Sequence, residues 1–232
     1  MVVAVVIVAA GRGRRMGAQT PKQYLPIGDT CALRLSVERF LAVEDVQHVV
    51  TVIHPDDRAL YDDALGGLDS DRVLEPVPGG ATRGLSVRAG LEALELLTPS
   101  AVLIHDAARP FVPVALIERM IELLQHEQGV CAALPVVDAL WAAQGDVAKH
   151  SVPRDGVWRA QTPQGFRFSD ILAAHRADRG DGADDVAVAV AAGMTVRFVE
   201  GSDRNYKITT AADWTRAEAD ASRNARTHGD RS

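Results

Sequence analysis

Residues 9–24, AAGRGRRMGAQTPKQY, hold three glycines, four cationic side chains and no acid. Glycines at 11 and 13 permit backbone angles and close approaches that a side chain forbids. Exposed N–H groups in such a loop form an anion nest. Arg12, Arg14, Arg15 and Lys22 add positive charge, so the stretch suits a polyphosphate. A second chemical stretch, HDAARP (105–110), closes an apolar run. A carboxylate there binds Mg²⁺ or accepts from a sugar hydroxyl, which singles out Asp106. Ala107 leaves room beside it, and Arg109 would orient Asp106 or touch phosphate. His105 reads as structural. In a third stretch, GGATRGLSV (79–87), Gly79 and Gly80 let backbone approach a flat ring whose polar edge Ser86 would meet. Equally, Thr82 would cap a helix there.

These stretches need elements to hold them. Short β-branched runs at 2–8, 46–53, 72–77, 101–106, 129–136 and 194–200 predict strands. Helical patterns lie between them at 31–42, 56–66, 82–97 and 113–127. Ile117, Met120, Ile121 and Leu124 form a core-facing stripe. The alternation predicts an α/β fold, a Rossmann-like, mostly parallel sheet with helices on both faces. The ligand then sits beyond the carboxyl ends of the strands, where the loop after the first strand lies. From 137 to 160 the rhythm breaks, with turn signals at 144–146 and 155–156, so this part is expected to leave the sheet as an extended arm and return. A long excursion of that kind serves function or a subunit contact. One domain over 1–222 is expected, with a frayed tail at 223–232.

Bulk properties narrow the classes. The chain has 232 residues, 47% of them hydrophobic, and a net charge of -6. Nucleic-acid binding needs a broad basic surface, so the cationic loop is expected to serve a small anion, with no nucleic acid as partner. Cys31 and Cys131 stand outside any CxxC spacing and read as reduced thiols. The seven histidines show no metal-ligand spacing. With neither a leader pattern nor an apolar run of about 18 residues, a cytoplasmic protein without a membrane span is expected.

Three anion loops compete for residues 9–24. A Walker loop needs GxxxxGK[ST], and the chain contains no Gly-Lys. A dinucleotide fingerprint needs GxGxxG, whereas Gly11, Gly13 and Gly17 are spaced GxGxxxG. The strand at 46–53 also leads to His54 instead of a ribose-binding acid. The third is a nucleotidyltransferase loop, AAGxGxRM followed by PKQ.

AAGRGRRM…PKQYLPIG, GGATRGLSV, HDAARPFV, RAQTPQGF and NYKIT occur in that order. In order and spacing the set resembles the 2-C-methyl-D-erythritol 4-phosphate cytidylyltransferase family over residues 2 to 214. The resemblance implies an enzyme that transfers a cytidylyl group from CTP to a sugar-alcohol phosphate with Mg²⁺, working as a homodimer. By the same resemblance Arg15 and Lys22 are the catalytic cations. Ala9, Ala10, Gly11, Gly13, Gly80, Ser86, Asp106, Ala107 and Lys207 bind CTP, with Ser86 at the cytosine edge and Lys207 reaching the phosphates. Asp106, Arg109, Arg154 and Thr162 hold the acceptor, and Asp106 is the candidate metal ligand unless the phosphates alone carry the ion. Arg12 and Arg14 face solvent or the outer phosphates. The arm exchanges between protomers.

Departures from the family are also visible. Ala81 stands where the family often has an acid, so contact there is through backbone. GADDVAVA (182–189) resembles a TDDA element with Ala183 for Thr; Asp184 and Asp185 either cap the next helix or stand near the site. The family's Asp-Thr pair after the strand at 129–136 is Asp138-Ala139 here, and Trp141 replaces a frequently basic residue. That missing hydroxyl keeps a pentitol acceptor, ribitol 5-phosphate, as an alternative. A non-catalytic nucleotide binder of the same fold is a second.

Overall fold

The computed structural model describes residues 1–12 and 20–229, with side chains described to residue 223. Gly13, Arg14 and Arg15 lie outside the described residues. The strands are β1 (Val3–Val8), β2 (Pro26–Ile27), β3 (Thr30–Cys31), β4 (Val46–Ile53), β5 (Val77–Pro78), β6 (Ala101–Asp106), β7 (Gly129–Pro135), β8 (Leu140–Gln144), β9 (Val147–Val152), β10 (Trp158–Arg167) and β11 (Val196–Glu200). The helices are α1 (Ala32–Leu41), α2 (Arg58–Leu65), α3 (Arg83–Ala93), α4 (Val114–Leu124), α5 (Phe168–Ala177), α6 (Asp185–Ala191) and α7 (Ala211–Gly229).

One seven-stranded sheet runs β11-β7-β10-β6-β1-β4-β5. The β1 strand is parallel to both β4 and β6, and its side chains alternate between two cores, as strand geometry requires. Val3, Val5 and Ile7 meet Leu33, Val37 and Phe40 of α1 and Ile117 and Met120 of α4. Ala4 and Val6 meet Val87 and Leu91 of α3 and Ile171 of α5. Gly90 makes the second packing possible, because a Cβ there would lie 2.5 Å from Val6 Cγ1. Both faces are thus covered, as the unbroken apolar strands predict. Among the described residues, no helix is long and apolar enough to cross a membrane.

Two expectations need correction. The run at 72–77 is not a strand. Leu74 N donates to Val49 O and Val49 N to Arg72 O, but the next ladder pair is Val52 with Val77. Pro76 and Pro78 lack the N–H that a continuous ladder needs. The arm is shorter than 137–160. A hairpin of β8 and β9 leaves the sheet, but β10 returns at Trp158 and inserts antiparallel between β6 and β7. Its central residues 161–166 are all buried, and the glutamines and Pro163 among them disguise a core strand. At the carboxyl end, α7 runs to Gly229. Residues 223–228 contain no glycine or proline to stop it.

Candidate active site

The chain passes from β1 to β4 and β5 on one side, then crosses back to lay β6 on the other. Ligands of open α/β sheets bind where strand order reverses in this way. Val8 and Asp106 are register partners at that point, so the segments after β1 and β6 leave the sheet side by side. A cleft of about 860 Å³ opens there, lined by Ala9, Ala10, Gly11, Lys22, Gly80, Ala81, Ser86, Asp106, Ala107 and Lys207 among others. Most of the expected nucleotide-binding residues are therefore brought together.

The loop after β1 is held from behind. Gln23, 3% exposed, donates from Nε2 to the carbonyls of Ala9 (2.5 Å) and Gly11 (3.1 Å). Lys22 sits beside it in a single 3₁₀ turn, and its Nζ donates to Ile208 O at 2.5 Å. That carbonyl is fixed in turn by α7. Asp213 Oδ2 accepts from Thr209 N, Thr209 Oγ1 and Thr210 N, each at 2.9 Å. Arg12 is exposed and lines the cleft, and it is also tied down on one side. Its guanidinium donates to Asp56 Oδ2 (2.6 Å), His54 Nδ1 (2.7 Å) and Asp57 Oδ1 (3.3 Å), tying the loop to the turn after β4.

The opposite wall depends on close approach. A Cβ on Gly79 would lie 2.5 Å from Ala10 Cβ and 2.9 Å from Ser86 Oγ. Thr82 caps α3 by accepting from Leu85 N, as one reading of the sequence expects. Ser86 lines the cleft, yet its hydroxyl accepts from Gly80 N and donates to Thr82 O. It shapes the Gly80–Thr82 backbone as well as offering its remaining lone pair.

Asp106 forms the charged floor. Its Oδ1 accepts from Arg83 Nε (3.2 Å) and its Oδ2 from Lys207 Nζ (2.7 Å). Burial opposes its charge, but Arg83 and Lys207 outweigh that and hold its carboxyl well below the usual carboxylate range. The backbone behind it is part of a hydrogen-bond chain. Asp106 N donates to Thr162 Oγ1 (3.1 Å), which lies 3.2 Å from His105 Nδ1, and His105 Nε2 lies 3.0 Å from Arg109 O. A carbonyl only accepts, so Nε2 carries the proton and Nδ1 accepts from Thr162. Burial drives the His105 pKa down to about 4, so the ring is neutral at pH 7 and structural, as expected.

The expected acceptor residues are less concentrated. Thr162 is 4% exposed and lies behind Asp106. Arg109 donates from Nη1 to Asn205 O and is not among the cleft residues. Arg154 lies exposed at the root of the hairpin, donating to Val137 O, also away from this cleft. Of the two acids at 184–185, Asp184 caps α6 through Ala187 N, and Asp185 reaches the site through Arg83. Arg83, Gln23, Arg12 and Thr209 are site-forming residues that sequence reading did not single out for these roles. All four nonetheless lie inside quoted motifs. Both cysteines are buried and free, and burial pushes the Cys131 thiol up to about 12, which suits inert core residues.

Fold and cleft define an α/β protein with a cationic, glycine-walled cleft at the switch point of its sheet, and comparison with known proteins gives the family. The model of the 2-C-methyl-D-erythritol 4-phosphate cytidylyltransferase family matches residues 3–223. The chain is 51% identical over 217 residues to the bifunctional enzyme IspD/IspF of Rhodospirillum rubrum, covering 93% of this chain and 56% of that protein. It is 48% identical over 218 residues to the 2-C-methyl-D-erythritol 4-phosphate cytidylyltransferase of Cereibacter sphaeroides, covering 94% and 96%. The crystal structure of 2-C-methyl-D-erythritol 4-phosphate cytidylyltransferase from Thermus thermophilus superposes with a TM-score of 0.74 at 35% identity, covering 94% of this chain and 98% of that one. The chain belongs to this cytidylyltransferase family. It spans somewhat over half the length of its bifunctional relatives and nearly all of the single-function one.

Proposed function

We propose that the chain transfers the cytidylyl group of CTP to 2-C-methyl-D-erythritol 4-phosphate, giving 4-diphosphocytidyl-2-C-methyl-D-erythritol and pyrophosphate. The observation that carries this is the convergence of Lys22, Arg83 and Lys207 with the Ala9–Gly11 backbone in one cleft at the switch point. An acceptor phosphate oxygen attacks the α-phosphorus in line, and the bond from that phosphorus to the pyrophosphate oxygen breaks. A phosphate monoester has a second pKa of about 6, so the nucleophile is ionised at neutral pH without a protein base. What the protein supplies is alignment and positive charge. Lys22, and Arg15 from the loop, would hold the phosphate oxygens as charge moves to the leaving group, with Lys207 and Arg83 around Asp106.

The donor set fits a Mg²⁺ ion that arrives on the nucleotide. Among the described residues no three acidic, histidine or cysteine side chains gather as a cage, and both Asp106 oxygens already accept from cations. Bound there, the ion would neutralise phosphate charge, with Asp106 as the protein carboxylate able to meet it.

The acceptor site is completed, in this proposal, by a second copy of the chain. The hairpin supports it. Every residue of β9 is exposed, and Val137, Trp141 and Val147 are 67%, 60% and 57% exposed. A two-stranded hairpin is marginal alone, and Arg154 at its root points to phosphate binding in a partner's cleft. A pyrophosphate-release assay with CTP, ATP, GTP and UTP against methylerythritol 4-phosphate and ribitol 5-phosphate tests the reading. Turnover with CTP and the branched acceptor is expected. Equal turnover with ribitol 5-phosphate would overturn the acceptor, and indifference to the base would overturn the donor.

A further inference from the structure

Asp185 is the first residue of α6 and is 0% exposed. A buried carboxylate needs a partner, and Asp185 has one that leads to the cleft. Its Oδ2 accepts from Arg83 Nη2 at 2.8 Å, while the same guanidinium donates from Nε to Asp106 Oδ1 at 3.2 Å. Arg83 therefore spans two carboxylates with one planar fork, a geometry that a lysine cannot reproduce. Burial opposes the Arg83 charge, but Asp185 and Asp106 together more than offset it and raise its pKa.

The anchor end of this bridge is fixed and the cleft end is not. Gln164 Oε1 accepts from the backbone N–H groups of Asp185 and Val186, both at 3.0 Å, and Gln164 Nε2 donates to Asp184 Oδ2 at 3.0 Å. Gln164 itself is 1% exposed on β10, the central antiparallel strand. On the other side, His175 Nε2 lies 3.3 Å from Asp185 Oδ1, although the two are not aligned as a hydrogen bond and neither of these two atoms has a hydrogen-bond partner among the described residues. Asp106, by contrast, is held at its carboxylate, among the described residues, by Arg83 and by Lys207, whose side chain is 39% exposed.

We propose that Asp185 is a positioning residue: acting through Arg83, it fixes the orientation of the Asp106 carboxylate at the floor of the cleft. The role rests on the nucleotidyl-transfer reading, since it matters to catalysis only if Asp106 meets the nucleotide or the acceptor. Because a misplacement of about 1 Å costs up to about a hundredfold in rate, the loss falls on kcat more than on binding.

The test is a double-mutant cycle with Asp185→Asn, Arg83→Lys and the double variant, read as kcat and KM beside thermal melts. Each single variant is expected to lose about tenfold in kcat, with the KM for CTP within about twofold of wild type. The double variant should lose little beyond the worse single, because both act through one bridge. Multiplied losses in the double variant, or normal kcat in Asp185→Asn, would overturn the inference. If Asp185→Asn fails to fold, Arg83→Lys carries the test, because it keeps the charge but reaches one carboxylate; normal kcat there overturns the proposal. A crystal structure of Asp185→Asn decides the placement without turnover. Arg83 Nε beyond about 4 Å from Asp106 Oδ1, outside ion-pair range, is expected, and an unmoved guanidinium overturns the inference. Absence of wild-type turnover with CTP and either acceptor would instead refute the proposed function.

Discussion

Asp106→Asn isolates the charge at the centre of the site. The carboxylate is 7% exposed and accepts from Arg83 at 3.2 Å and Lys207 at 2.7 Å. Removing one partner of a buried ion pair costs about 3–5 kcal/mol. Here the cost is reduced, because Arg83 keeps Asp185 and Lys207, 39% exposed, turns to water; about 2 kcal/mol remains. With an unfolding entropy of about 2.1 cal/mol/K per residue, a chain of 232 residues melts about 4 °C lower at pH 7. The pH dependence has a definite sign. Arg83 and Lys207, against the opposing effect of burial, place the folded pKa below the unfolded value, which is about 3.9. The contribution is therefore fully present above that unfolded value and is lost as pH falls toward the folded one. Calorimetric melts of both proteins from pH 7 to pH 3 should show a gap that is constant to about pH 4.5 and narrows below about pH 4. A variant that melts at or above the wild-type temperature at pH 7, or a gap that widens on acidification, would refute the reasoning.

Three further outcomes are expected. Lys22→Ala should stay folded by circular dichroism and lose at least about a hundredfold in turnover, the scale of removing one preorganised charge-stabilising donor; unimpaired turnover removes Lys22 from the chemistry. Gly79→Ala places a Cβ 2.5 Å from Ala10 Cβ and must push the two cleft walls apart, so titration calorimetry should show CTP binding weakened about tenfold, on the scale of a lost contact or two; unchanged affinity would mean that this contact does not set the cleft. Deleting residues 143–149 should give monomers by sedimentation that bind CTP normally but the acceptor poorly, and an active monomeric wild type would contradict the exchanged arm.

Much of the site was legible because its residues lie in short local stretches. The loop after β1, the strand ending at Asp106 and the cap at Thr82 each follow from neighbours within a few positions, and the β-branched runs carry the parallel sheet with them. The 72–77 run shows the limit: its composition suits a strand, but the prolines at 76 and 78 decide the ladder. For β10 the limit is different. Gln161, Thr162 and Gln164 look like surface residues in one dimension, and only tertiary partners such as Ser202, Asn205 and the start of α6 make their burial affordable.

What the sequence determined by itself is therefore the class of fold, the glycine-rich cationic loop after the first strand and the acid at the strand end, since periodicity and residue chemistry are local properties. Only the tertiary structure decided which charges meet. Arg83 joins Asp106, 23 positions away, to Asp185, 102 positions away, and Lys22 reaches the carbonyl of Ile208 across 186 positions. Such pairings depend on strand order and on the antiparallel insertion of β10, because a charge finds its partner through space and no local pattern records that distance.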